Sequence, residues 1–214
     1  AEIAERYQVD VFFSNANIAE PEQIDNLFEE VRETFTHIDI VINNAGIQHT
    51  ESLVEFPRKK WNDIIAVNLS ASFHIMQQAI PMMRTQGWGR IINIASVHGL
   101  VGSANKSAYV AAKHGIVGLT KVAAIEEAEN HITINAICPG WVETPLIGGQ
   151  IDAVASQQNL DYHSAKKALI TQKQPLPEMA MPDQIGDYVL FLCTDAARGI
   201  TGASLTMDGA WTAQ

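Results

Sequence analysis

Arg90 to Lys113 reads RIINIASVHGLVGSANKSAYVAAK. Ile91-Ile92-Asn93-Ile94 is a short apolar, β-branched run that suits a buried strand. Ser96 lies just past its end. The segment from Ser107 predicts a helix, so Tyr109 and Lys113, four residues apart, share one face a turn apart. An ammonium beside a phenol favours phenolate and lowers a pKa that is about 10 in water. Such a tyrosine can exchange a proton with an alcohol near neutral pH, and a serine hydroxyl at the strand end can hydrogen-bond the same oxygen. Tyr-x-x-x-Lys also arises by chance in amphipathic helices, so the rest of the chain has to decide.

Working outward, strands and helices alternate. AEIAERYQ predicts the tail of a helix, and Val9–Phe13 a strand. A helix is expected from Pro21 to Phe35, with Pro21 in its first turn and Glu20 and Glu22 at the positive end of its dipole. Ile38–Asn43 predicts a strand, and Pro57–Gln86 a helix with one break expected at Pro81. Further strands are expected at Ile132–Ile137 and Ser204–Met207, and a helix at Pro182–Thr194. Each strand is apolar almost end to end, which predicts an α/β fold, a parallel sheet covered on both faces. In such sheets ligands bind beyond the carboxyl ends of the strands. Asn17, Asn44–Gly46, Ser96 and Pro139-Gly140 all follow strands directly. With no internal repeat or linker, one domain is expected over residues 1–214. Residues 146–174 are too long for an ordinary connection and predict a substrate lid, with Ala153, Val154, Leu169 and Ile170 as its packing residues.

The 214 residues are 47% hydrophobic and 18% charged, enough for a sizeable core. The formal net charge of −10 argues against nucleic acid or an anionic membrane as partner. Cys138 and Cys193 lie in apolar runs and point to neither a disulfide framework nor a metal site, so a reducing, cytoplasmic compartment is expected. No stretch is apolar for the length of a membrane span.

Asn43-Asn44-Ala45-Gly46, Asn68, Ser96, Tyr109-x-x-x-Lys113 and Pro139-Gly140-x-x-x-Thr144 together resemble the short-chain dehydrogenase/reductase family, in order and spacing, over the whole chain. The resemblance implies a Rossmann-type doubly wound sheet and hydride transfer between an alcohol and a ketone with a nicotinamide cofactor. It implies Tyr109 as acid/base and Lys113 on the nicotinamide ribose. Ser96 would steady the substrate oxygen, and Asn68 hold a water of the proton relay. Asn17, Ile18, Asn44, Ala45, Gly46, Pro139, Gly140, Val142 and Thr144 would line the cofactor. The strings NNAGIQH, ASVHGL, NKSAYVAAKHG and CPGWVETPL further resemble its 3-hydroxybutyrate dehydrogenase branch. That likeness implies NAD, a small hydroxy or keto acid as substrate, and a homotetramer through the helices around Asn68 and Tyr109. Gln48, His98, Lys106 and Gln150 would hold the carboxylate, and Trp211 close over the methyl end.

Taken singly, Lys106 reads as a solvated loop charge, His98 as a structural donor and Trp211 as packing. Trp61, Trp88 and Trp141 are assigned to packing, and His49 and His114 to no role. The chain departs from the family in two places. It has no glycine-rich turn for a pyrophosphate, as though roughly 40 residues, a little more than one β-α-β unit, were absent from the front. It also carries Asn17 where the family usually has Asp. Two other readings stay open: a 3-oxoacyl-thioester reductase, and a catalytically dead scaffold or fragment.

Overall fold

A computed structural model describes residues 2–213, and Ala1 and Gln214 lie outside it. Strands β1 (Ile40–Asn43), β2 (Gly89–Ile94), β3 (Ile132–Pro139) and β4 (Ser204–Met207) form one parallel sheet in that order. The helices are α1 (Glu2–Tyr7), α2 (Pro21–Thr34), α3 (Arg58–Ile65), α4 (Ala71–Gln86), α5 (Ser107–Glu127), α6 (Gly148–Gln158), α7 (Tyr162–Thr171) and α8 (Pro182–Cys193).

Alternation along the strands explains the layers. Ile91 and Ile134, opposite each other in register, pack with Ile24 and Phe28 of α2 and Met76, Ala79 and Met83 of α4. Ile92 and Ile137 point the other way, onto Val189 and Leu192 of α8. Over β2 and β3 both faces of the sheet are thus covered, which is why these strands are largely apolar, whereas Ile40 and Ile42 of β1 stay exposed on one face. Two of the polar residues, Asn43 of β1 and Asn93 of β2, pair with each other. Asn43 Nδ2 donates to Asn93 Oδ1 at 2.8 Å, and Asn93 Nδ2 donates to Thr120 Oγ1 at 2.9 Å. This buried chain ties β1, β2 and α5 into one register, because a shift would strand polar groups in the core.

Two expectations are corrected. Val9–Phe13 forms no strand, and Phe13 is 84% exposed. Phe12 and Phe13 share a cavity with Ile40 and Val41 and do not pair with them, so among the described residues β1 is hydrogen-bonded on one side only. Pro81 does not break its helix: it sits inside α4 on the exposed side, where water can satisfy the carbonyl one turn back. The irregularity comes earlier, as a π-helical turn at Ala66–Ser70 between α3 and α4. Such turns are frequent at functional sites.

Residues 146–174 fold as a helical hairpin of α6 and α7. Asp161 caps α7 by accepting from the His163 and Ser164 amides at 3.0 and 3.1 Å. The hairpin has its own small core of Ile147, Ile151, Val154, Ala165, Leu169 and Ile170. Ala153 is exposed, because it lies off the 147/151/154 stripe.

Candidate active site

The turn after β2 builds the centre of the site. Ser96 is fully extended, and its Oγ accepts the His98 amide at 3.2 Å and lies 3.3 Å from His98 Nδ1. Gly99 lets this turn sit against α5, since a Cβ there would lie 2.6 Å from the Lys113 carbonyl oxygen. From α5, Lys113 Nζ donates to the Ile94 carbonyl at 2.7 Å and lies 5.6 Å from the centre of the Tyr109 ring. Ser96, Tyr109 and Lys113 therefore face one pocket of about 670 Å³ at the carboxyl ends of the strands.

The same pocket is lined by all five residues expected for substrate: Gln48, His98, Lys106, Gln150 and Trp211. Lys106 is placed by its neighbours. Asn105 adopts a left-handed φ of 63°, and its carbonyl accepts the Glu51 amide at 2.9 Å. The Lys106 ammonium lies 5.7 Å above the Trp141 ring, and among the described residues no carboxylate forms an ion pair with it. Burial lowers its pKa from the ordinary lysine value.

Of the residues expected for the cofactor, Asn44, Gly46, Gly140, Val142 and Thr144 also line this pocket. Ala45 and Pro139 belong to the same turns without lining it. Asn17 and Ile18 lie apart: Asn17 Oδ1 accepts the Ala19 amide at 3.1 Å, and Ile18 packs on the core beneath α2. Asn68, in the π-helical turn, is buried behind the pocket. Its amide holds Ile47 from both ends, accepting from the nitrogen and donating to the oxygen at 2.9 Å each. Its side chain thus fixes the Asn44–Gln48 turn.

Sequence reasoning missed three residues. Trp141, assigned to packing, lines the pocket, with its ring 5.5 Å from that of Trp211 and its indole N–H buried without a partner. Asp208 organises the turn that presents Trp211, accepting the Ala210 and Thr212 amides at 3.2 and 2.9 Å and the Thr212 hydroxyl at 2.6 Å. It holds Ala210 at a left-handed φ of 69°, which few non-glycine residues adopt. Gln174 joins the end of the helical hairpin to the rest: its amide nitrogen donates to the carbonyls of Leu176 and Glu178. Only Asp208 left a trace in the sequence, as an Asp-Gly turn.

The electrostatics correct the expectation for Tyr109. Burial raises its pKa, opposed by the Ser96 hydroxyl, and so outweighs any help from Lys113. Lys113 is itself brought down to about 8 by burial. As a neutral phenol, Tyr109 is ready to give a proton to a carbonyl oxygen. Oxidation of an alcohol needs the phenolate and is therefore favoured by alkaline pH.

Burial, reinforced by Lys106 and then His114, holds His98 at about 4. The folded chain keeps this ring neutral where the unfolded chain takes up a proton, so stability falls as pH drops from about 6.5 to about 4 and levels off below. A shift of that size corresponds to about 3 kcal/mol. His98→Gln is expected to remove this part of the acid destabilisation. Melting temperatures across that pH range measure it, and an unchanged slope would count against a neutral buried His98.

The family described as enoyl-(acyl carrier protein) reductase matches residues 1–212. D-beta-hydroxybutyrate dehydrogenase of Cupriavidus necator is 47% identical over 100% of this chain and 83% of its own length. The enzyme of that name from Rhizobium meliloti is also 47% identical, over 93% of this chain and 77% of its own. L-sorbose reductase of Gluconobacter frateurii, solved with NADPH and L-sorbose, superposes with a TM-score of 0.91 at 26% identity, over 97% of this chain and 79% of that one. Proteins of this kind use NAD or NADP. The nicotinamide end fits the residues present: Lys113 offers a buried ammonium, Tyr109 a phenol and Gly140 a close backbone, all on one cavity. The first glycine of this sequence is Gly46, in the turn after β1. With the Ser96, Tyr109 and Lys113 arrangement, a parallel α/β sheet and matches along its whole length, this chain belongs to the short-chain dehydrogenase/reductase family of oxidoreductases.

Proposed function

We propose that this protein interconverts (R)-3-hydroxybutyrate and acetoacetate with NAD. What carries this reading is Lys106, an ammonium without a carboxylate partner among the described residues, facing the pocket of Ser96 and Tyr109. A small hydroxy acid presents one anion, which a cation and several neutral donors meet best. Gln48 and Gln150 are such donors, and His98 is a third because it stays neutral with its Nε2 buried and unpaired. The Trp141 and Trp211 rings leave an apolar end for a methyl group.

In this reading Ser96 and Tyr109 hold the hydroxyl oxygen, and Tyr109 takes its proton as the hydride leaves the carbon. The cofactor supplies the hydride acceptor. Lys113, an ammonium below its pKa of about 8, would stand beside the phenol and meet the ribose. The direct test is NADH formation from (R)-3-hydroxybutyrate, compared with its methyl ester and with NADP. Equal rates on acid and ester would sink the carboxylate assignment, and a preference for NADP would sink the choice of cofactor.

The α6–α7 hairpin acts as the lid. It carries Gln150 into the pocket and rests on a core largely separate from that of the sheet, so it can close over bound ligand and exclude water. Hydrogen exchange over residues 146–174 is expected to slow when cofactor and substrate are added together. Strong protection that is the same in both states would argue for a static element.

The working unit is a homotetramer. Phe73 on α4 and Val122 and Ile125 on α5 are large apolar side chains left exposed, Ile125 at 80%. A sedimentation mass of one chain at assay concentration would overturn this.

A further inference from the structure

A second cavity, of about 620 Å³, opens at the amino ends of the strands, on the opposite edge of the sheet from the active site. It is framed by the three connections that lead into β2, β3 and β4. At its wall stands Arg90, only 3% exposed. Its Nη1 donates to the carbonyls of Gly89 and His131 at 2.8 and 3.2 Å, and the guanidinium lies 4.3 Å from the Trp88 ring. Its Nε is buried with no partner. Two carbonyls and an aromatic face do not neutralise a full charge, and a buried charge is costly unless it is paired. Asp195 lines the same cavity and attracts the Arg90 charge through space, but closes no ion pair with it.

Three further donors line the cavity. Arg198 is exposed and, among the described residues, in no ion pair, and His131 is exposed on a backbone with a left-handed φ of 57°. Thr201 Oγ1 accepts the Ile134 amide at 3.1 Å, which leaves its hydroxyl hydrogen to donate. We propose that this cavity is an anion site in which Arg90, Arg198 and His131 take a phosphate group, free or carried by a small organic molecule. The planar fork of an arginine matches a tetrahedral oxyanion better than it matches water. A chain of net charge −10 does not attract anions in general, so capture here would come from the local arrangement.

The test uses the whole chain, inorganic phosphate and glycerol 3-phosphate as probes, and sodium chloride at matched ionic strength as control. Phosphate is expected to raise the melting temperature where chloride does not. Arg198→Ala should weaken its apparent affinity about tenfold or more, the usual cost of a charge-assisted hydrogen bond. Arg90→Lys should do the same. If that variant does not fold, Arg198→Ala and His131→Ala decide the matter. Lys106→Ala, in the active-site pocket, should leave phosphate binding unchanged. Tighter binding of glycerol 3-phosphate means that the organic part fills the rest of the cavity, and equal binding means that the phosphate group alone is recognised. No stabilisation beyond chloride overturns the site. So does a result in which Arg198→Ala binds like the parent, or in which Lys106→Ala is the variant that loses phosphate.

Discussion

Tyr109→Phe is expected to lower turnover on (R)-3-hydroxybutyrate by about 10²-fold or more, the usual range for loss of a general acid/base. The substitution removes one oxygen and keeps the ring. The edge contact of that ring with His98, 5.9 Å between centroids, needs no hydroxyl, and neither does its contact with Lys113. The fold and the affinity for cofactor should therefore survive, and the loss should appear in kcat. A hundredfold loss corresponds to about 2.7 kcal/mol of transition-state stabilisation. The pH profile provides a second readout. With the tyrosine pKa raised by burial, oxidation by the parent should climb toward alkaline pH, and the residual rate of the variant should lose that climb. Turnover near that of the parent, with an unchanged profile, would remove Tyr109 from proton transfer.

Lys106→Ala is expected to lower kcat/KM for 3-hydroxybutyrate by roughly 10- to 150-fold, the equivalent of one charge-assisted hydrogen bond of about 1.5–3 kcal/mol. The methyl ester, which has no anion, should lose much less. Lys106 is the right residue to remove because the other lysine of the pocket, Lys113, is committed to the Ile94 carbonyl. His98 cannot replace the missing charge, since it stays neutral well below physiological pH. An equal loss on both substrates would mean that the Lys106 side chain supports its loop through the contact with Trp141. No loss on either would shift the reading toward a 3-oxoacyl-thioester reductase, which shares Ser96, Tyr109 and Lys113 but has no carboxylate to hold.

Much of the site is legible in the chain because its parts are local. An apolar β-branched run ending at Ser96 and a helix carrying Tyr109 and Lys113 at a spacing of four place three reactive groups without knowledge of any distant contact. Gln48, His98, Lys106, Gln150 and Trp211 came from resemblance, and the fold brings all five to one pocket. The interruption before α4 was expected but misplaced, because Pro81 is a strong local signal and the π-helical turn around Asn68 has none.

By itself, then, the sequence determined the alternation of strand and helix, the parallel sheet and the reactive trio, since each rests on periodicity or spacing within one element. Tertiary structure alone decided the rest. Val9–Phe13 has the composition of a strand but faces the free edge of β1 across a cavity and does not pair with it. Trp141 joins the pocket because the Asp208 turn presents Trp211 to its ring and Gln174 accepts its backbone amide, across long stretches of chain. The pKa of Tyr109 rises where the spacing to Lys113 predicts a fall, because desolvation depends on everything packed around a side chain, and the identity of one neighbour does not reveal it.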